Sequence, residues 1–166
     1  MSTEFSSLLL SLQNGNNPMP LIAVDGGRFS GVQCFGKTAF KACRLPEETR
    51  AGLLLYAGFA AESHSVSQDL STAEASYWHA IYHRMEPDDW NSKYWFRQVG
   101  RHPIEEQLRE AAIKVGWNPG RNWDHARFVE FMSAARSGTK PEITAMAIQI
   151  QHIEWQLLFD YCAKEI

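Results

Sequence analysis

The chain has 166 residues, 45% hydrophobic and 21% charged, which suits one globular domain spanning 1–166 with no need of a covalent staple. Sixteen basic and nineteen acidic residues leave a formal charge of −3, so no nucleic-acid partner is expected: such binding usually shows as a basic domain or stripe. Three cysteines, Cys34, Cys43 and Cys162, have no C-x-x-C spacing, which argues against a disulfide scaffold and against a cysteine zinc site.

The N-terminus has no basic region, and Glu4 precedes a run of only three leucines, so no secretory signal is expected. No stretch approaches the ~18 apolar residues of a membrane span. Unpaired cysteines fit a reducing interior, and the expectation is a cytoplasmic protein without a membrane partner.

Residues 3–13 read as a short amphipathic helix that ends in the turn formers Asn14 to Pro18. Residues 18–37 are rich in proline and glycine. There 21–24 and 31–35 are expected to pair as a small β-hairpin within 20–36, across Asp25-Gly26-Gly27. Pro46-Glu47-Glu48 opens a helix that runs to about His64. Over 51–61 it is apolar on nearly every side, the mark of a central helix, and Gly52 and Gly58 allow close neighbours. Ser71-Thr72-Ala73-Glu74 is a capping box for a helix to about Met85. Asp88 caps a helix to about Val99, with Gly100 as its stop. Pro103 opens another that ends at Gly116. After a loop with Trp117 and Trp123, Asp124 caps a helix to about Ser137. Pro141 opens a long last helix to about Lys164. Helix follows helix through short connections, which predicts an all-α bundle of about six to seven helices.

Three places put polar groups where the helical pattern calls for apolar ones. Glu154 falls inside the apolar arc formed by Ile143, Ala147, Ile150, Leu157, Leu158 and Tyr161. A buried carboxylate is costly unless paired or metal-bound, so Glu154 predicts a partner: a salt bridge to Arg84, Arg97 or Arg101, or an ion. Glu62 lies on an apolar side near a helix end, where it can also reach water. On the helix 72–86, His79, His83 and Glu86 line one stripe at i, i+4 and i+7. Two histidines so spaced can ligate one ion. Residue 80 is Ala, so the internal glutamate of H-E-x-x-H is lacking, and a lone H-x-x-x-H more often reflects packing and hydrogen bonding.

The densest polar stretch contains His79, His83, Arg84, Glu86, Asp88, Asn91, Tyr94, Trp95 and Arg97. This string resembles a family of uncharacterised bacterial and fungal proteins with the approximate pattern H-x-x-x-H-R-x-E-G-D-x-x-N-A-x-Y-W-x-R. The chain departs from it at Pro87 and Ser92, where glycine and alanine are usual. The resemblance covers about 25 of 166 residues. It implies that these residues form a unit, and it supplies no reaction.

On the helix 88–99, Ser92, Trp95, Phe96 and Val99 face the expected core. Trp90, Asn91, Tyr94, Arg97, Gln98 and Arg101 face away, where arginines can stack on aromatic rings. Asp88 is most simply a cap, and Pro87 bends the chain between two helices.

Three functions follow. In the first, Arg84, Asn91, Tyr94, Arg97, Arg101 and His102 bind a small anionic or sugar-like molecule at this corner, with His83 and Glu86 as catalytic groups. In the second, a divalent metal cofactor is held by His79, His83 and a carboxylate from Glu86, Glu154 or Glu62, and activates water or oxygen. In the third, Trp90, Tyr94 and Arg97 anchor a protein partner, a reading that accommodates a homo-oligomer. The first ranks slightly ahead, because more groups of the segment suit an organic ligand than a metal shell.

Overall fold

The computed structural model describes residues 17–28 and 45–164. Among them are seven helices: α1 Glu47–Ala57, α2 Ala60–Gln68, α3 Ala73–Met85, α4 Asp89–Val99, α5 Glu105–Val115, α6 His125–Arg136 and α7 Pro141–Ala163. The protein is all-α. The helix expected over 3–13, the 31–35 arm of the expected hairpin, Cys34 and Cys43 lie outside the described residues.

The caps act where the sequence places them. Thr72 accepts a hydrogen bond from the Ala75 N–H at 3.2 Å, Asp88 from Asn91 at 3.0 Å and Asp124 from Arg127 at 3.1 Å. Each satisfies one of the backbone donors that a helix start leaves unpaired.

Two expectations need correction. The helix expected from 46 to His64 is two helices. Gly58 adopts φ 84° and ends α1, its N–H and that of Phe59 turning back onto Leu55 and Leu54. This is a left-handed C-terminal cap, and it frees α2 to run in a new direction.

The second correction concerns the hairpin. Residues 21–28 form no strand. Their backbone is occupied elsewhere: Gly27 N–H donates to Gly58 O, Arg28 N–H to Ala57 O and Ala23 N–H to Met85 O, all at 2.8–2.9 Å. The Arg28 guanidinium adds bonds to Tyr56 O and Pro18 O, and Gln151 Nε2 donates to Pro20 O. The segment straps helix ends together, and its donors are taken by carbonyls that the helices leave unpaired.

The apolar faces form two core regions that share α7. One gathers α1, α3 and the Trp155–Cys162 half of α7. The other gathers α5, α6 and the Ala147–Ile150 part of α7. α1 is central, with every residue from Ala51 to Ala57 buried. At Gly52 an added Cβ would fall 2.5 Å from the Trp78 ring, so this glycine sets how closely α3 approaches. Trp155 Nε1 donates to Gly52 O at 2.8 Å and ties α7 to the same point.

Between α3 and α7 the core holds a charge pair. Arg84 and Glu154 are both fully buried and bonded to each other. Tyr77 OH donates to Glu154 Oε1 at 3.1 Å, and Arg84 Nη2 reaches Gln151 Oε1 at 3.3 Å. The guanidinium also lies over the Phe128 ring, 4.8 Å from its centre. Burial and the neighbouring carboxylate push the Tyr77 hydroxyl well above its ordinary pKa, so it stays a donor.

Candidate metal centre

α3 presents His79 and His83 one turn apart on a single face. Their rings are nearly parallel, with centres 4.9 Å apart. α2 brings His64 against them, 4.5 Å from His79 and 5.3 Å from His83 between ring centres and almost perpendicular to both. One ligand nitrogen from each of the three lies within 4.8 Å of the others. Three nitrogens on one tetrahedral ion at ~2.0–2.1 Å stand about 3.4 Å apart, so modest ring rotations close the set.

His64 is in place because α1 stops at Gly58. The first turn of α2 has no side-chain cap of its own. Instead Asp25, from the strap, accepts the Ala61 N–H at 2.9 Å. Strap and helix break together aim α2 at α3.

His79 and His83 are buried, and His64 is half-buried, so the cluster opens to solvent on the His64 side. His79 is the deepest. Its ring stacks on Trp95 of α4 at 4.0 Å, and its buried Nδ1 has no hydrogen-bond partner among the described residues. A buried ring nitrogen with no partner is costly, and a bound cation removes that cost. Burial, aided by the two neighbouring imidazoles, drives the His79 pKa down to about 3. His64 is also lowered, by burial and by His83, with Glu86 opposing. Both rings are neutral at pH 7 and offer lone pairs without first losing a proton.

Glu86 supplies the second layer. Its Oε2 is 3.1 Å from His83 Nδ1, and its Oε1 accepts from Tyr82 OH at 3.2 Å. A carboxylate only accepts, so the proton of this bond sits on His83 Nδ1 and the lone pair on Nε2. Burial and Glu86 raise the Tyr82 pKa to about 12, so its hydroxyl stays protonated. Tyr82 also stacks on His64, 4.4 Å between ring centres.

No protein family, curated protein or solved structure matches this chain. The geometry of the site therefore carries the functional argument alone.

Of the residues singled out in the sequence, His79, His83 and Glu86 come together. Glu154 does not join them: its carboxylate is held by Arg84 and Tyr77, the salt-bridge alternative of the sequence reading. Glu62 is half-buried and falls outside the histidine group.

The six residues expected to bind an organic ligand do not line one pocket. Arg84 is sealed in the core, where Glu154 and Gln151 take its two terminal nitrogens. The Asn91 amide donates to the Asp88 cap at 2.7 Å. His102 is buried on the other side of α3, with Nε2 3.5 Å from Glu74 and its ring against Tyr77. Tyr94, Arg97 and Arg101 are exposed, and Arg97 lies over the Tyr94 ring at 5.8 Å.

His64 was missed. It sits where the apolar pattern of α1 fades, and no fixed spacing links it to His79. A third histidine within a helix turn of Glu62 was the one available signal.

Proposed function

We propose that the protein binds a divalent transition-metal ion through His64, His79 and His83 and uses it to activate water for hydrolysis. Three imidazoles converging from two helices, one with a buried nitrogen that has no hydrogen-bond partner among the described residues, carry the reading. An all-imidazole set suits zinc and its first-row neighbours rather than magnesium or calcium, which prefer oxygen. Three protein ligands leave a fourth position for water, whose pKa falls to ~7 on zinc. Glu86 fixes the tautomer of His83. Its side chain is 48% exposed at the rim, so it can also take or return a proton in the water step. The Trp95 ring stacks on His79 and holds the plane of that imidazole.

Elemental analysis of tag-free protein tests this. The expected result is about one zinc, iron or manganese per chain, lost in His79→Ala and in His64→Ala. Substoichiometric metal, or metal retained in both variants, overturns the proposal. Cobalt substitution gives an independent readout, since a tetrahedral Co²⁺ site absorbs in the visible and a surface-bound ion does not.

A further inference from the structure

α4 separates two environments. Trp95 faces the histidines, whereas Phe96, about 100° round the helix, and Lys93 and Arg97, about 160° round, face a groove on the other side. The groove runs between the end of α4, the start of α5 and the loop before α6, and encloses about 740 Å³. That is ample for a small molecule.

Five basic side chains line it against two acidic ones. Two of the basic groups have structural tasks: Lys93 pairs with Glu130 at 2.8 Å, and Arg127 Nη1 donates to Pro119 O at 3.2 Å. Both acids are committed as well. Asp124 caps α6. Glu105 Oε1 accepts from the His102 N–H at 3.0 Å and meets His125 Nε2 at 3.2 Å.

Arg97, Arg101 and Arg121 remain. All three are exposed, and none has a carboxylate within ion-pair distance among the described residues. They stand on a rigid frame. Arg109 Nε holds Gly120 O at 3.1 Å, and Asn118 Oδ1 accepts the Gly120 N–H at 2.9 Å. Trp123 Nε1 donates to His125 Nδ1 at 3.1 Å, and the His125 ring stacks on Phe96 at 4.2 Å. The loop that carries Arg121 is thus pinned from both neighbouring helices, which limits the ordering that binding would require.

We propose that Arg97, Arg101 and Arg121 form a binding site for a multiply charged phosphate compound, distinct from the histidine centre. Planar guanidinium forks match phosphate oxygens two at a time. Three guanidiniums without an ion-pair partner among the described residues, round one concavity on a chain of net negative charge, form a local exception to the overall balance, and such focused fields attract anions.

The test is calorimetric titration of the protein with inorganic pyrophosphate at low salt. Wild type is expected to bind at a single site, and Arg101→Glu and Arg121→Glu each to weaken binding by about tenfold or more. Lys114→Glu, an equal charge change on the exposed side of α5, is expected to leave it within about twofold, as is His79→Ala. Absence of binding at millimolar pyrophosphate overturns the proposal, as does equal weakening by Lys114→Glu. Loss in His79→Ala with retention in the arginine variants would put the phosphate on the histidine site and also overturn it. The exposed positions keep the fold intact, and unchanged thermal melting checks this.

Discussion

The guanidinium of Arg84 and the carboxylate of Glu154 meet in the core from 70 residues apart, with no solvent exposure on either side chain. Tyr77, Gln151 and the face of Phe128 complete the enclosure. The pair joins α3, which carries two of the three histidines, to α7, which runs through both core regions. Such a pair adds little net stability over an apolar one, but it fixes which faces meet.

Breaking it on one side is expected to be severe. Glu154→Gln or Arg84→Met leaves the other charge buried and unpaired, at about 3–5 kcal/mol in urea unfolding. The double variant Arg84→Met/Glu154→Leu is expected to recover at least half of that loss. Single variants within about 1 kcal/mol of wild type would show that the charges reach water after all.

The sequence makes this pair half legible. A carboxylate within an apolar arc requires a partner, and Arg84 is among the three arginines that could serve. The helix bounds are legible because their signals are local: Thr72, Asp88 and Asp124 each accept a backbone donor three residues on, and Pro141 presets the first helical φ. The strap is not legible. Turn residues at 25–27 look the same whether they join two strands or bend a chain across helix ends. His64 is illegible for the same reason: its place depends on the left-handed Gly58 and on a cap from Asp25, 36 residues from the N–H it accepts. Ser92 has a packing role, its hydroxyl donating to Ala80 O of α3 at 2.9 Å where the two helices touch.

Gly58 is expected to tolerate no side chain. Its φ of 84° disfavours L residues, and a Cβ would fall 2.5 Å from Arg28 Cγ and 2.9 Å from Arg28 N. Gly138 has a comparable φ of 66° with nothing within 4 Å. Gly138→Ala should therefore cost only the conformational penalty of about 1–2 kcal/mol, and Gly58→Ala more. Gly58→Ala should also weaken metal binding, because it disturbs the corner that aims His64. Equal costs at the two sites would remove the strap from the account of the centre.

Glu86→Gln is expected to lower metal affinity by about 10–100-fold while stoichiometry at saturating metal is kept, since the three ligands remain. Tyr82→Phe removes one bond to the same carboxylate and should have a smaller effect in the same direction. Competition with a chromophoric chelator measures both. A Glu86→Gln variant with wild-type affinity would restrict Glu86 to the surface.

Away from the centre, His102 and His152 predict how stability responds to acid. Burial lowers the pKa of each; for His102 Glu74 and Glu105 oppose the shift and His125 reinforces it, and for His152 the charge of Arg28 reinforces it. In the folded protein both rings stay neutral below ~6.5, where the unfolded chain already takes up protons. Stability is then complete above that pH, and it falls as pH drops from ~6.5 towards the folded-state values, because the unfolded state binds more protons. Carboxylates change little over this range, so the histidines dominate. Urea unfolding of EDTA-dialysed protein at pH 7.5 and 5.5 should show the loss, and His152→Gln should make it shallower by removing one contributor. His64 and His79 add to the drop in metal-free protein, so the comparison with His152→Gln isolates the ring stacked beside Trp155. A stability that is flat or rising towards pH 5.5 would mean that both rings reach solvent or a carboxylate when protonated.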